Sequence, residues 1–354
     1  MQLFHRSALA LLMTTLAVAC ASCSSATSGS TDKADVEETE IKLHGAGASF
    51  PFPLYQRWFI EYGKLHPNVQ VNYQSIGSGG GIQQLIKHTV DFAASDAAMS
   101  DKEISEVSEG VQLLPMTAGS IVLAYNLPEA PQGLKLSRDA YTGIFLGKVK
   151  KWNDPLIAKA NPDLKLPETA VTVVRRADSS GTTFVFTTHL DAISDDWHKG
   201  PGVGKSVDFP VGIGGKGNEG VTATIKQTPG AIGYIEFGYL RQAKLPVASL
   251  ENKSGAFVAP DLKAAEAALE SVKMPADLRC WLPDPEGKDS YPIVTYTWLL
   301  CYKTYPDAAS AKALKSVIKY CLTEGQKVSE EMGYVELPDD VVAQVTKALE
   351  NIKP

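Results

Sequence analysis

Three short segments of the chain combine hydroxyl-bearing and small residues with the start of a predicted amphipathic helix. They are residues 45–51 (GAGASFP), residues 77–81 (GSGGG) and residues 176–183 (RADSSGTT). The first turn of a helix exposes unpaired backbone N–H groups and a partial positive charge, so each segment is suited to bind an anion. Three such segments, with one arginine and a nearby aspartate, predict a pocket that surrounds a small tetrahedral oxyanion.

The serines in the first two segments also have structural interpretations. Ser49 can cap the helix that follows it, or it can give its hydroxyl, with the N–H of Phe50, to a bound oxyanion; taken alone, it favours the cap. Ser78 lies among Gly77, Gly79, Gly80 and Gly81. Glycines let a backbone approach a ligand closely, and their entropic cost disfavours a purely structural loop. Contact of Ser78 with a ligand therefore stays open.

Arg176 and Asp178 follow a predicted strand, and Ser180, Gly181 and Thr182 open the next predicted helix. A guanidinium group binds two oxyanion oxygens through its planar fork, and an aspartate two residues away can pair with it and fix its orientation. The alternative is a plain surface ion pair. An ion pair alone does not require a strand before it and a hydroxyl-rich helix start after it, so the pattern favours an anion site.

Asp96 is the residue that discriminates between anions. It lies just after a predicted strand, and a carboxylate beside a bound anion is repulsive unless it accepts a proton from that anion. Phosphate carries such a proton near neutral pH and sulfate does not, so Asp96 predicts a site that accepts phosphate and rejects sulfate. The alternative is that Asp96 caps a helix near Asp101.

Other chemistries are weakly supported. Residues 212–217 match G-x-G-x-x-G, but they lack the acidic partner of a dinucleotide site and the serine or threonine of a P-loop. Ser180 has no nucleophile elbow around it, and no convincing Ser-His-Asp set is visible. The six histidines are scattered, which disfavours a histidine metal site. The net charge of −6 provides no basic field for nucleic acid.

The length and pattern of the chain predict an α/β protein with two lobes. A chain of 354 residues exceeds what a single core usually supports. Strand-like and helix-like runs alternate, with helices predicted after Ser49, after Gly79, near Ser180, and at 308–322 and 339–350. The apolar runs 122–126 and 298–302 are either two crossings between lobes or ordinary core strands, and the pattern alone does not decide.

The first 40 residues indicate export. Residues 1–19 predict a signal peptide, and Ala17-Val18-Ala19-Cys20 resembles the lipobox of bacterial lipoproteins, with Cys20 as the lipidated residue. Ordinary signal cleavage is the alternative. Residues 20–40 are rich in serine and acidic residues and predict a solvated linker. In the body, two of Cys280, Cys301 and Cys321 could form a disulfide, or all could be buried thiols; both remain open.

Together these motifs make the body, from about Leu43 onward, resemble the PstS family, the substrate-binding proteins of bacterial phosphate ABC transporters. The resemblance is strongest at 45–51, 73–81, 90–97, 146–167, 173–186, 212–221 and 229–234. It implies a two-lobed, type II-like periplasmic-binding-protein fold that closes on phosphate. Lobe I would comprise 41–125 plus 297–354, and lobe II 126–296. Two crossing strands would join the lobes, with the ligand in the cleft.

The resemblance also implies the site and the partners. Asp178 would hold Arg176, and the phosphate ligands would be Ser49, Phe50, Ser78, Asp96, Arg176, Ser180, Gly181 and Thr182. Ser49 stands where many relatives have threonine, which keeps the hydroxyl. We expect a monomer in the periplasm or at the cell surface, anchored to a membrane as a lipoprotein. It would pass phosphate to a transmembrane permease without catalysing a reaction, and we expect no cofactor, metal or nucleic acid. The alternatives are a binding protein for sulfate or molybdate, and a phosphate-ester hydrolase on a related scaffold.

Overall fold

The computed structural model describes residues 40–128 and 133–354. The predicted signal peptide at 1–19, the predicted lipidation site Cys20 and the predicted linker up to residue 39 lie outside the described residues. Within the described part of the chain, no helix has the length and apolar character needed to cross a membrane.

Strands and helices alternate through the described chain, as the sequence predicts. The strands are β1 (Ile41–Gly47), β2 (Val69–Ser75), β3 (Phe92–Ser95), β4 (Val111–Asn126), β5 (Lys135–Leu136), β6 (Thr172–Arg176), β7 (Ile213–Gly215), β8 (Ala231–Glu236), β9 (Ser249–Glu251), β10 (Phe257–Val258) and β11 (Val294–Tyr302). The helices are α1 (Phe52–Leu65), α2 (Ser78–Ile86), α3 (Asp101–Ser105), α4 (Arg138–Phe145), α5 (Pro155–Ala158), α6 (Gly181–Ile193), α7 (Asp195–Lys199), α8 (Gly217–Gln227), α9 (Phe237–Ala243), α10 (Leu262–Glu270), α11 (Ala308–Leu322), α12 (Ser329–Met332) and α13 (Asp339–Ala348). Short 3-10 helices cover Glu324–Val328 and Leu349–Asn351.

Eight strands form one curled mixed sheet in the order β2-β1-β3-β11-β4-β8-β6-β7. Strand β1 pairs in parallel with β2 and β3, and we call these the first parallel group. Strand β6 pairs in parallel with β7 and β8, the second parallel group. Strands β11 and β4 lie between the groups, antiparallel to their neighbours. The architecture is a mixed α/β fold, as the sequence predicts.

Strand β4 connects the two parallel groups within one stretch of backbone. Its residues 111–120 pair with β11, and its residues 121–126 pair with β8. The sequence predicted only the second part, because Gln112 and Pro115 interrupt the apolar pattern of the first. Opposite Pro115, the register of β11 shifts between Thr297 and Trp298. A proline has no N–H for the ladder, so a bulge is expected there. The predicted lobe boundaries stay a prediction.

Helix α2 begins at Ser78, two residues earlier than predicted, and therefore contains three consecutive glycines. Glycine is a poor helix former, but larger residues have no room here. A Cβ at Gly81 would lie 2.6 Å from the carbonyl oxygen of Ala46, and one at Gly79 would lie 2.0 Å from Oγ of Ser179. Close backbone approach, rather than flexibility, explains these glycines.

The core is continuous, and its buried tryptophans are hydrogen-bonded. The indole N–H groups of the buried Trp58, Trp152, Trp197 and Trp298 each donate to a backbone carbonyl. Among the described residues, Cys280, Cys301 and Cys321 are buried free thiols, so the disulfide alternative is wrong in this structure.

Candidate functional site

The carboxyl ends of the first parallel group meet at one edge of the sheet. Ser49 follows β1, Ser78 opens the helix after β2, and Asp96 follows β3 directly. All three side chains are buried. Ligands of open α/β sheets bind outside the carboxyl ends of parallel strands, so the fold positions these residues as a binding edge.

The carboxyl ends of the second parallel group meet the same edge. Arg176 is the last residue of β6, Asn218 lies in the first turn of α8 after β7, and Glu236 ends β8. Contacts join the two groups: the N–H of Gly79 donates to the carbonyl of Ser179 at 3.0 Å, and Asn218 donates to Oγ of Ser49. The sequence segments predicted to form one pocket therefore come together.

Ser49 lies at this junction and does not cap a helix. Its Oγ accepts hydrogen bonds from the backbone N–H of Asn218 at 3.0 Å and from Nδ2 of Asn218 at 2.9 Å. Helix α1 begins after Pro51 without any side-chain cap. The cap that the isolated sequence favoured for Ser49 is therefore wrong, because its hydroxyl is turned toward a segment 169 residues away.

Arg176 and Asp178 form a buried pair, so the surface alternative is wrong. Nε donates to Oδ1 at 2.8 Å and Nη2 donates to Oδ2 at 2.5 Å, and the side chains are 1% and 12% exposed. Burial raises the pKa of Asp178, but the adjacent guanidinium outweighs it and the pKa is lowered overall. Nη1 of Arg176 also donates to Oγ1 of Thr182 at 3.2 Å, which directs the outer edge of the guanidinium toward the start of α6.

Asp96 is the acidic group of the site. Its Oδ1 accepts from the hydroxyl of Thr297 at 2.8 Å, and its backbone N–H donates to Oγ of Ser78 at 3.3 Å. Burial raises its pKa to about 7, against the lowering effects of the Thr297 hydrogen bond and the Arg176 charge. It caps no helix, since Ser100 caps α3. Asp96 can thus exchange a proton near neutral pH.

Four backbone N–H groups around these side chains have no protein acceptor. Within residues 40–128 and 133–354, nothing accepts from the N–H of Phe50, Ser78, Gly181 or Thr182. All four residues are buried. Buried unpaired donors are costly in a folded protein unless a ligand or water accepts from them. These residues were predicted as anion ligands, and their free N–H groups fit that role.

The start of α6 is packed tightly against the first parallel group. Ser180 caps α6, with its Oγ accepting from the N–H of Thr183 at 3.0 Å. A Cβ at Gly181 would lie 2.4 Å from Oγ of Ser78 and 2.7 Å from Oδ2 of Asp96. Only glycine allows the helix start to approach this closely, so Gly181 is needed for space.

The sequence does not predict three residues at this edge as site residues: Asn218, Thr297 and Glu236. Asn218 follows the glycine-rich residues 212–217, which were set aside as a nucleotide motif, although a glycine-rich turn into a helix was itself an anion signal. Thr297 offered no signal, because it reaches Asp96 across 201 residues at the bulge of β11. No group of residues suited to a metal ion occurs in the described part of the chain.

Comparison with known proteins places the chain in a family. A model of the PBP superfamily domain matches residues 24–324. The phosphate-binding protein PstS of Pasteurella multocida is 43% identical over 308 residues, covering 86% of this chain and 88% of the relative. The phosphate-binding protein PstS of Methanocaldococcus jannaschii is 40% identical, covering 88% of this chain and 87% of the relative.

Solved structures agree at the level of the fold. A high affinity periplasmic phosphate-binding protein, solved with phosphate bound, superposes with a TM-score of 0.73 and 21% identity, covering 87% of this chain and 93% of that chain. A phosphate-binding protein from Stenotrophomonas maltophilia superposes with a TM-score of 0.70 and 21% identity, covering 87% and 94%.

The buried carboxyl of Glu236 predicts a pH-dependent stability. Burial raises its pKa to about 8, against the N–H groups of Gly238 and Tyr239 that donate to it. Above the ordinary pKa of a glutamate, the unfolded chain releases this proton while the folded protein keeps it. The contribution of Glu236 to the free energy of unfolding is therefore fully present below about pH 4.5 and is lost as the pH rises through 8. We expect Glu236→Gln to reduce the slope of the free energy of unfolding against pH, by about 1.4 kcal/mol per pH unit at most.

Urea unfolding in phosphate-free buffer at several pH values between 5 and 8 measures this slope. The exposed Glu331→Gln is the control and should keep the wild-type slope. An unchanged slope in Glu236→Gln would show that the folded protein does not hold this carboxyl protonated.

Proposed function

Because the chain belongs to the PBP superfamily and, within it, to the PstS phosphate-binding proteins, we propose that it binds inorganic phosphate and delivers it to an ABC transporter for import. The observation that carries the proposal is the set of four buried backbone N–H groups without a protein acceptor, at Phe50, Ser78, Gly181 and Thr182. These donors lie around one buried arginine, which supplies the positive charge that the oxyanion needs.

The donors complement the oxygens of phosphate. The N–H groups belong to the starts of α2 and α6 and to the turn before α1, so the partial positive charge of helix ends adds to the hydrogen bonds. Three N–H donors of Arg176 are used by Asp178 and Thr182, and a guanidinium has five. Two remain for a bound oxygen. The hydroxyl groups of Ser49, Ser78 and Ser180 complete the proposed set.

Asp96 supplies the acceptor that distinguishes phosphate from other oxyanions. Its pKa of about 7 means that the carboxylate is accessible at neutral pH, and an ionised Asp96 accepts the proton of a phosphate O–H. Against ionised Asp96, sulfate and molybdate would place an unprotonated oxygen and leave both groups without a donor, so only the protonated carboxyl could donate to them. The predicted alternatives among binding proteins are therefore less well supported than phosphate.

We propose that the structure represents the closed arrangement of the two predicted lobes. Beyond the contacts of Ser49 and Gly79, the hydroxyl of Ser75 donates to Oε1 of Glu219 at 2.9 Å, and Lys205 pairs with Glu103 at 2.5 Å. Each contact joins residues 41–125 to residues 126–296. Their loss on opening would expose the site for delivery to the permease, with no chemical step.

Titration of purified, ligand-stripped protein with phosphate and then sulfate tests the proposed function. We expect tight one-to-one phosphate binding and much weaker sulfate binding at neutral pH, because sulfate brings no proton for ionised Asp96. Sulfate binding as tight as phosphate would overturn the specificity argument. A folded protein that binds neither would refute the function, and turnover of a phosphomonoester would favour the hydrolase alternative.

Asp96→Asn tests the acceptor directly. An asparagine amide can donate to an oxyanion oxygen but provides no charge to attract its proton, so we expect the preference for phosphate over sulfate to fall at least about tenfold. The exposed Asp163→Asn controls for the general effect of removing a negative charge. Wild-type discrimination in Asp96→Asn would remove Asp96 from its proposed role.

We also propose that the protein is exported and held at a membrane by a lipid on Cys20, supported by the lipobox-like residues 17–20. Cys20→Ser should release the protein from the membrane fraction into the aqueous phase of a detergent partition, with Cys23→Ser as the matched control. Membrane retention of Cys20→Ser would contradict the lipid anchor.

A further inference from the structure

Asn218 has the most complete hydrogen-bonding pattern at the site. Its side chain is fully buried. Nδ2 donates to Oγ of Ser49 at 2.9 Å and to Oγ1 of Thr182 at 3.1 Å, and the backbone N–H donates to Oγ of Ser49 at 3.0 Å. Oδ1 accepts from the N–H of Glu236 at 3.0 Å. One residue therefore links the ends of β1, β6 and β8.

The orientation of the Asn218 amide is determined by its surroundings. A backbone N–H can only donate, so the atom that faces Glu236 is the carbonyl oxygen of the amide. The amide NH2 group must then face the hydroxyls of Ser49 and Thr182. Asn218 does not cap helix α8, because it is the second residue of the helix and Lys216 occupies the capping position.

This arrangement determines what the two hydroxyls can do. A hydroxyl has two acceptor positions and one proton. Oγ of Ser49 accepts twice from Asn218, and Oγ1 of Thr182 accepts from Asn218 and from Nη1 of Arg176. With both acceptor positions filled, each hydroxyl can only donate its proton, to a bound oxyanion or to Asp96.

We propose that Asn218 is a positioning residue, which holds the hydroxyls of Ser49 and Thr182 as obligate donors to the bound anion or to Asp96. It holds Ser49 only when the two parallel groups are together, whereas Thr182 belongs to its own group. The proposal rests on the proposed binding of phosphate at this site. Asn218 acts through the two hydroxyls rather than by its own contact with phosphate. Its effect on affinity must therefore be coupled to theirs, which a merely structural role would not require.

A double-mutant cycle on the phosphate dissociation constant tests this coupling. We expect Asn218→Ala and Ser49→Ala each to weaken binding about 10- to 100-fold, since Ser49→Ala removes a donor to the buried anion and Asn218→Ala releases that donor from its fixed direction. The double variant should weaken it far less than the product of the two, because Asn218 has no Ser49 hydroxyl left to orient.

Asn126→Ala is the matched control. Nδ2 of Asn126 donates to the carbonyls of Ile225 and Lys226, at the opposite end of the same helix, both at 3.0 Å. The Asn126→Ala variant should lower the melting temperature of the phosphate-free protein. It should keep the wild-type dissociation constant for phosphate and show no coupling to Ser49→Ala. An equal loss of affinity in Asn126→Ala would assign the effect of Asn218 to the stability of α8.

The outcomes separate the two proposals. If the wild-type protein binds no phosphate, the proposed function fails. If the wild type binds and the losses from Asn218→Ala and Ser49→Ala simply multiply, or if Asn218→Ala binds normally, the positioning role alone is overturned. Should Asn218→Ala not fold, Asn218→Asp keeps the shape but accepts where the amide donated. It should weaken binding at least tenfold, and wild-type affinity would overturn the role.

Discussion

The buried ion pair between Arg176 and Asp178 is the interaction on which the site depends. A guanidinium removed from water must be paired and hydrogen-bonded, or its desolvation would outweigh any benefit. Asp178 meets this need with both oxygens, which also fixes the plane of the guanidinium. The same carboxylate accepts from the N–H of Gly217 at 3.0 Å. One side chain therefore sets both the direction of the arginine and the start of α8, and through α8 the place of Asn218.

An acidic protein that binds an anion must limit repulsion from its own carboxyls. Burial raises the pKa of Asp96 to about 7 and that of Glu236 to about 8. Near neutral pH, Glu236 is therefore largely protonated, and Asp96 is balanced between its two forms. Desolvation makes the ionised form of each carboxyl unfavourable. The resulting protonation reduces the negative potential at the site. It leaves Asp96 able to play its proposed part in anion binding, and the proposed site needs no net positive charge on the chain, consistent with its formal −6.

The sequence was sufficient to find the parts of the site whose signals are local. Ser78 and residues 180–182 each lie where a strand gives way to a helix, and that pattern is readable without tertiary information. The structure brings them together because both parallel groups end at one edge of the sheet. The error on Ser49 and the omission of Thr297 have the opposite cause. Their hydrogen-bond partners are 169 and 201 residues away, and no local pattern shows that Thr297 will face Asp96.

The glycines show how the fold balances helix stability against anion binding. Helix α2 contains three consecutive glycines, each unfavourable relative to alanine by up to about 1 kcal/mol. They allow α2 to approach Ser179 and the backbone of β1, as Gly181 allows α6 to approach Ser78 and Asp96. The starts of two helices are thereby held side by side, with their partial positive charges close together. That juxtaposition is unfavourable by itself, and a dehydrated anion that accepts from both helix starts relieves it. The repulsion between the two helix starts would thus contribute to the proposed affinity for an oxyanion.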